Sequence, residues 1–358
     1  MAAAPVDLDR PETYAAVDGS GMLGHLQALP RQLEDAWQRA AGFAPPASYS
    51  GAEQIVVAGM GGSAIGADLA RALVADTLRV PLVVWRDYGV PAFVGPRTLV
   101  VAASYSGETE ETLSAVESAL AAGAKVVGIT RGGRLAAALG AAGQAVLTFD
   151  YPSPPRAAIG YGLVLLLGLL ARLGYIADQT AALQAARAAV HEAAERLGPR
   201  VPTAQNGAKQ LAVALQGRVA IVYGGGFLAP VARRWKGQCN ENAKQWAFFE
   251  ELPELDHNAV MGYRFPAAAA RECLVVLLYS SLLPPRLARR YAATAELLDR
   301  HGIPHVTVHA WGDGVLAHLL SAVAYGDWTS YYLALLNRVD PGDTGAIDQL
   351  KARLLEGD

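Results

Sequence analysis

The sequence has few of the features that mark several large classes of protein. Its 358 residues include only two cysteines, Cys239 and Cys273, which provide neither a disulfide framework nor a metal-ligand spacing. The net charge is -3 and the basic residues are largely dispersed apart from Arg233–Lys236, which argues against nucleic acid as a partner. No basic segment followed by an apolar one opens the chain, so we expect no signal peptide and a cytoplasmic location.

Long hydrophobic runs are also lacking. The most apolar stretch, Gly162–Leu173, is interrupted by Arg172 and is shorter than the roughly 20 residues that a membrane-spanning helix needs. We therefore expect a buried core helix there and no membrane partner. Because 52% of the residues are hydrophobic, the chain has enough apolar surface for sizeable cores, and its length favours two domains.

Strands and helices alternate along the first half of the sequence, which predicts a parallel sheet with helices on both faces. Proline residues at 152, 154 and 155 then break the pattern and indicate a linker. The predicted strands are Gln54–Ala58, Pro81–Trp85, Thr98–Ala103, Lys125–Thr130 and Ala145–Phe149. The predicted helices are Met22–Ala40, Ile65–Ala75, Glu110–Ala122 and Leu135–Ala142.

The second half repeats this design. Gly224-Gly225-Gly226 follows a predicted strand and precedes a predicted helix, as Gly59-Met60-Gly61-Gly62 does in the first half, which indicates duplication of one strand–turn–helix unit. The predicted strands are Arg218–Tyr223, Cys273–Tyr279 and His305–His309. The predicted helices are Ala157–Tyr175, Gln179–Leu197, Ala229–Gln238, Pro285–Arg300, Asp313–Asn337 and Gly345–Leu355.

We therefore predict an α/β protein with two similar doubly wound parallel-sheet domains and helical N- and C-terminal extensions. The expected boundaries are a helical arm at 1–50, a first domain at 51–155, a helical connection at 156–215 and a second domain at 216–358.

The candidate binding loop lies between the predicted strand Thr98–Ala103 and the helix that follows it. Ser104, Ser106 and Thr109 place three hydroxyls around Gly107, where a helix N-terminus offers backbone N–H groups and the positive end of its dipole. This arrangement suits a phosphate monoester. No lysine or arginine lies in the loop, so hydroxyls and dipoles would hold the anion. The alternative is that Ser106 or Thr109 simply caps the helix.

The glycine turn at Gly59–Ala64 has two interpretations. It fits the dinucleotide fingerprint with alanine in place of the third glycine, and Asp87 would then bind the ribose of NAD(P). In the interpretation we favour, Gly61, Gly62 and Ser63 close with the Ser104–Thr109 loop around one small sugar phosphate. Two hydroxyl-bearing helix N-termini at neighbouring strand ends suit a monoester, whereas a pyrophosphate requires a single glycine cradle.

Gly61-Gly62-Ser63 and the run from Ser104 to Thr112 resemble a sugar isomerase (SIS) domain. Four further signals resemble the bifunctional phosphoglucose/phosphomannose isomerase family, and all the motifs occur in the family's order over about residues 50–355. These signals are Pro155-Arg156, the run Asn240-Glu241-Asn242-Ala243-Lys244, His257-Asn258, and Asp340-Pro341 with Ile347–Lys351.

The resemblance implies a reaction and a set of residues for it. It implies an aldose–ketose isomerase of sugar phosphates that needs no cofactor and no metal. Glu241 would be the base that moves a proton between C1 and C2, and Arg156 would stabilise the enediolate. His257, reaching the neighbouring subunit of a homodimer, and Lys351 would open the sugar ring. Thr344, seven residues before Lys351, would leave room for either C2 epimer.

Other interpretations of these residues stay open at this stage. Without the resemblance, Glu241 is equally a solvated carboxylate beside Lys244, Arg156 a surface residue of a linker, and Lys351 a solvated lysine. The sequence also departs from many family members, which have glutamate where Ala259 follows His257-Asn258. The alternative functions are a sugar-phosphate sensor without catalysis and an NAD(P)-dependent oxidoreductase.

Overall fold

Two separate parallel sheets organise residues 6–355, the part of the chain that the computed structural model describes. The chain divides into two compact units, each built around one of these sheets. We call residues 27–191 with 311–320 the five-stranded unit, and the remaining described residues the four-stranded unit.

The five-stranded sheet has the order β2-β1-β3-β4-β5, and every neighbouring pair is parallel. Its central strands β1 and β3 are almost completely buried, because their apolar and β-branched side chains face helices on both sides of the sheet. The strands are β1 (Gln54–Gly59), β2 (Leu82–Trp85), β3 (Thr98–Ser104), β4 (Lys125–Thr130) and β5 (Ala145–Thr148).

The four-stranded sheet is also wholly parallel, with the order β7-β6-β8-β9. In each sheet the first strand of the unit lies between the second and the third, so the two units share one topology. The strands are β6 (Val219–Gly225), β7 (Ala247–Leu252), β8 (Cys273–Tyr279) and β9 (His305–His309). The predicted pair of similar doubly wound α/β domains is therefore confirmed.

Fourteen α-helices are present in the described residues. The first eight are α1 (Pro11–Val17), α2 (Met22–Gln27), α3 (Leu29–Gly42), α4 (Gly61–Leu73), α5 (Glu110–Ala121), α6 (Gly133–Ala141), α7 (Ile159–Arg172) and α8 (Thr180–Leu197). The others are α9 (Gly207–Leu215), α10 (Ala229–Ala243), α11 (Ala269–Glu272), α12 (Pro285–Arg300), α13 (Val315–Leu336) and α14 (Gly345–Leu355).

The apolar helix α7 lies in the core of the five-stranded unit. The stretch Pro155–Arg172 is the one in the described residues that is long and apolar enough to cross a membrane, and 72% of it is buried inside the protein. It packs against α3 and α4, and Gly66 of α4 lies so close to Gly162 that a Cβ on it would collide with the α7 backbone. This contact agrees with the expected core helix.

One predicted helix was wrong, and four elements, α1, α9, α11 and β7, were not predicted. The single helix expected at Met22–Ala40 is two helices, because α2 ends at Gln27 and α3 begins anew at Leu29 with Pro30 in its first turn. Strand β7 was not predicted, because Glu250 and Glu251 interrupt its apolar pattern at the edge of the sheet.

Candidate functional site

The glycine turn between β1 and α4 is held against a second backbone segment. Gly61 has a positive φ of 46°, and α4 begins there without a side-chain cap on its first N–H groups. A Cβ on Gly62 would lie 2.9 Å from the Pro155 carbonyl oxygen and 3.2 Å from the Arg156 nitrogen. Glycine is therefore required at 62 because the segment carrying Arg156 packs directly on the turn.

The hydroxyl loop between β3 and α5 is closed by its own side chains. The buried Ser104 Oγ accepts a hydrogen bond from the Gly107 N–H at 3.1 Å and lies 2.8 Å from Thr109 Oγ1. Thr109 occupies the N-cap position of α5, but its side chain caps none of the helix N–H groups. The simple capping interpretation of Thr109 is therefore wrong. Ser106 is exposed, and its Oγ accepts from the Glu108 N–H at 3.2 Å, which is a local turn contact.

The two loops are joined to each other. Gly59 pairs with Ala103 where β1 and β3 end, which places both loops at the carboxyl edge of the sheet. Ser63 Oγ accepts a hydrogen bond from the Tyr105 N–H at 3.1 Å. A small cavity opens at this junction, lined by residues that include Gly62, Ser63, Tyr105 and Pro155. The glycine turn and the first residue after Ser104 therefore border one small space at the carboxyl edge of the sheet, where open parallel sheets bind ligands.

Arg156 is a buried residue of this same edge. It lies in a short 3₁₀ turn, Pro155–Ala158, that packs on α4, and only 3% of its surface is exposed. The alternative of a solvated linker arginine is therefore wrong. A guanidinium keeps its charge when buried, so Arg156 adds a permanent positive charge to the unit that carries the hydroxyl loops.

Sequence reasoning missed Tyr105 and Arg131 as parts of this edge. The Tyr105 hydroxyl donates to the Tyr151 carbonyl oxygen and accepts from the Ser153 N–H, both at 2.7 Å. Arg131 lies over the Tyr105 ring at 5.4 Å and forms an ion pair with Asp150. The one feature of the sequence that could have predicted a role for Arg131 is its position directly after β4, because a residue there lies at the carboxyl edge of the sheet.

Glu241 lies in the four-stranded unit, in the last turn of α10, and is half-buried. Polar side chains on one face of α10 fix the helix to α13. Arg234 donates to both carboxylate oxygens of Asp327 at 2.9 and 2.8 Å, Gln238 donates to the same carboxylate, and Asn242 donates to Ser330 Oγ at 3.0 Å. Burial raises the pKa of Asp327, and the charge of Arg234 opposes that rise.

His257 is exposed at the end of a short 3₁₀ helix, Glu254–His257. Its neighbours hold the segment in place. Asp256 forms an ion pair with Arg290 at 2.8 Å and accepts from Thr294, while the Asn258 side chain donates to Glu254 and accepts from the Ala259 N–H. The backbone around His257 is thus fixed by Asp256 and Asn258, without a glutamate at 259.

Thr344 and Lys351 belong to the C-terminal helix of the same unit. Thr344 precedes α14, and its hydroxyl donates to Asp348 at 2.8 Å. Lys351 lies on the exposed part of α14. Ile347, Leu350 and Leu354 are also exposed on this helix.

The structure distributes the predicted site residues over both units. The five-stranded unit contains Gly61, Gly62, Ser63, Ser104, Ser106, Thr109 and Arg156. The four-stranded unit contains Glu241, His257, Thr344 and Lys351. Among the described residues, no group of three or more histidine, cysteine, aspartate or glutamate side chains is arranged to hold a metal ion.

Each of the two units contains a segment that matches a known protein family. Residues 48–148 match the SIS domain family, and residues 204–354 match the family described as the bacterial phospho-glucose isomerase C-terminal SIS domain. These matches cover the hydroxyl loop in one unit and the Glu241, His257 and Lys351 segments in the other.

Curated relatives align with most of the chain. The bifunctional phosphoglucose/phosphomannose isomerase of Caldicellulosiruptor bescii is 37% identical over 329 residues, which are 92% of this chain and 97% of the relative. The protein of the same name from Aquifex aeolicus is 33% identical over 301 residues, covering 84% of this chain and 90% of the relative. A solved structure of a glucose-6-phosphate isomerase like protein from Thermus thermophilus has a TM-score of 0.64 at 25% identity, covering 97% of this chain and 99% of that one.

Proposed function

Because the chain belongs to the bifunctional phosphoglucose/phosphomannose isomerase family, we propose that this sugar phosphate isomerase interconverts glucose 6-phosphate and mannose 6-phosphate with fructose 6-phosphate. We place the reaction in the cytoplasm and assign it no cofactor or metal.

The observation that carries the proposal is the junction of the two loops in the five-stranded unit. The Ser63 hydroxyl accepts a hydrogen bond from the Tyr105 N–H, and Gly62, Ser63 and Tyr105 line one small cavity. Helix N-termini and hydroxyl groups stabilise a phosphate dianion without a lysine. In the proposal, Gly61, Gly62, Ser63, Ser104, Ser106 and Thr109 bind the phosphate, and the reacting carbons of the sugar extend away from this loop.

Isomerisation then requires a base and stabilisation of the charge that develops as the proton moves. We assign the base to Glu241, which removes the C2 proton of the aldose and returns it to C1. The half-buried position of Glu241 and the fixed helix that carries it support this role, because a base must hold its geometry through both transfers. We assign Arg156 to the enediolate oxygen, since a buried guanidinium is charged before the reaction starts.

Ring opening needs an acid and a base at the ring oxygen and the C1 hydroxyl, and we assign it to His257 with Lys351. An imidazole both donates and accepts protons near neutral pH. His257 is exposed, and on the same segment Met261 and Phe265 are 80% and 77% exposed. Exposed apolar side chains around a functional histidine support a homodimer in which a second copy covers this surface and receives the histidine.

Tolerance of both C2 epimers is assigned to Thr344. Its hydroxyl is engaged with Asp348, so it presents a short side chain near the start of α14. A short side chain leaves room for the C2 hydroxyl in either configuration.

A coupled assay tests the proposed activity. Purified protein is given glucose 6-phosphate or mannose 6-phosphate, and the appearance of fructose 6-phosphate is measured. Turnover of both aldoses is the expected result. Binding of both sugar phosphates with no turnover would instead identify a sensor, and turnover of the glucose epimer alone would contradict the role of Thr344. Quenching or enhancement of NAD(P)H fluorescence on addition of the protein would support the oxidoreductase.

A further inference from the structure

Lys244 connects two segments of the four-stranded unit that lie far apart in the sequence. Its Nζ donates a hydrogen bond to the main-chain carbonyl of Glu241 and another to the main-chain carbonyl of Asp340, both at 2.8 Å. The same ammonium group therefore holds the last turn of α10 and the turn that precedes α14.

The backbone of Lys244 is in a conformation that favours a different residue. Its φ is 52°, in the left-handed region, immediately after α10. Glycine and asparagine are the residues that usually end a helix in this way, because a larger side chain crowds the following carbonyl. A lysine at this position indicates that its side chain has a role that compensates for an unfavourable backbone.

Closing the helix is not that role. The N–H groups of Lys244 and Gln245 both donate to the Cys239 carbonyl, as expected for a left-handed helix end. The Gln245 side chain donates to the Leu215 and Arg218 carbonyls, and Asn337 donates to the Ala243 carbonyl. These bonds close the last turn of α10 without the side chain of residue 244, whereas the bond from this turn to the Asp340 carbonyl comes from that side chain.

The far end of the connection is itself braced. The Asp340 carboxylate accepts from Ser20 Oγ at 2.6 Å and from the Gly342 N–H at 2.8 Å. Gly342 packs so tightly on Ser20 that a Cβ there would collide with the serine side chain. The Asp340–Gly342 turn is therefore a fixed point, and Thr344 and α14 with Lys351 follow from it directly.

We infer that Lys244 is a positioning residue that sets the Glu241 end of α10 relative to the turn from which the C-terminal helix departs. The inference rests on the proposed function, in which Glu241 is the base and Lys351 assists ring opening. As a positioning residue, Lys244 does not contact the substrate. It acts through the main-chain position of Glu241, and small displacements of a base reduce the rate of proton transfer more than they reduce phosphate binding.

The test compares Lys244→Gly, Lys244→Met and Lys244→Arg with the unchanged protein. Lys244→Gly is expected to match or exceed the thermal stability of the parent, because glycine suits the left-handed backbone. Its kcat should nevertheless fall about tenfold or more, with KM for the aldose phosphate changing less than about threefold. Lys244→Met should show the same loss of kcat, and Lys244→Arg should recover part of it through its own N–H donors.

Lys236→Met is the matched control, since it removes one positive charge from the same helix five residues before Glu241. It should keep kcat within about twofold of the parent. The inference is overturned if Lys244→Gly folds and keeps its kcat, or if the control loses as much activity as Lys244→Met. Should Lys244→Gly fail to fold, Lys244→Met and Lys244→Arg test the inference instead. Higher turnover in Lys244→Arg than in Lys244→Met would support it, and equal turnover in the two variants would overturn it.

Glu241→Gln separates this inference from the proposed function. Full activity in Glu241→Gln would show that Glu241 is not the base, and Lys244 would then have no base to position. An inactive Glu241→Gln beside a fully active Lys244→Met would leave the proposed reaction intact and overturn the role of Lys244 alone.

Discussion

The Ser104 hydroxyl lies 2.8 Å from the Thr109 hydroxyl across the loop that joins β3 to α5. Ser104 Oγ also accepts a hydrogen bond from the Gly107 N–H, so this one buried oxygen contacts both the middle and the end of the loop. Gly107 has a φ of 75°, and a Cβ on it would collide with the Gly132 carbonyl oxygen. The loop's own contacts therefore define its shape, which reduces the entropy that a phosphate must overcome on binding.

Ser104→Ala should weaken sugar-phosphate binding. Removal of the oxygen leaves the buried Gly107 N–H without its acceptor, which costs about 1–3 kcal/mol. We expect KM for the aldose phosphate to rise about tenfold, with a smaller change in kcat, in initial-rate kinetics. Ser118→Ala, on α5 away from the loop, serves as the control and should leave KM unchanged. An unaltered KM in Ser104→Ala would show that the loop does not depend on this hydroxyl.

The sequence predicted this loop well because its hydroxyls are close together and lie between a clear strand and a clear helix start. The strand–turn–helix pattern was sufficient to place Ser63 and Ser104 at one sheet edge. The burial of Arg156 was not predictable in the same way, because it depends on how the Pro155–Ala158 turn packs on Gly62, a contact between residues distant in the sequence.

The missed elements also have physical reasons. β7 is an edge strand whose Phe248 and Glu251 are exposed, so its side chains do not follow the pattern of a buried strand. Helix α9 carries an N-cap signal, Asn206, whose side chain accepts from the Ala208 and Lys209 N–H groups. That signal was available in the sequence, whereas the link from Lys244 to Asp340 spans 96 residues and no local pattern indicates it.

Glu241→Gln should abolish most of the turnover while it preserves binding. Glutamine keeps the size of the side chain but cannot take a proton from carbon, so kcat should fall by at least ~10²-fold. Binding of the sugar phosphate, measured by calorimetry, should change little, because the phosphate contacts are assigned to the five-stranded unit. Near-normal turnover in this variant would contradict the assignment of the base.

Lys209→Met should destabilise the protein without a direct effect on the reaction. The Lys209 side chain is fully buried, and its Nζ donates to the Leu8 carbonyl at 2.8 Å, to Asp9 at 2.9 Å and to the Pro199 carbonyl at 3.0 Å. Methionine cannot make these three bonds, which weakens the attachment of the N-terminal segment to α9, although Thr203 still donates to Asp9 and Tyr14 to the Leu8 carbonyl. We expect the free energy of unfolding to fall by about 2–3 kcal/mol in denaturant titrations.

The control for that change is Lys125→Met at the half-buried start of β4, which removes the same charge and should cost about 1 kcal/mol or less. Equal losses in the two variants would show that burial of Lys209 has no special importance.

The same contact predicts a dependence of stability on pH. Burial raises the pKa of Asp9, but hydrogen bonds from Lys209 and Thr203 outweigh that effect and lower the pKa below its usual 3.8. A carboxylate with a lowered pKa contributes stability above pH 3.8 that is lost as the pH falls through its folded-state pKa. The stability difference between the parent and Lys209→Met should therefore shrink below about pH 4. A difference that stays constant to lower pH would exclude the Asp9 contribution.

The two cysteines should react very differently with an alkylating reagent. Burial raises the pKa of Cys239, two residues before Glu241, to about 12, so the reactive thiolate form of this residue is scarce at pH 8. Burial and the nearby Glu272 also raise the pKa of Cys273, but this residue is only half-buried at the start of β8.

Iodoacetamide at pH 8, followed by mass spectrometry, should modify Cys273 in the native protein and Cys239 only after unfolding. Modification of native Cys239 as fast as Cys273 would mean that the end of α10 opens to solvent, and a helix end that opens so readily would not hold Glu241 in place for proton transfer.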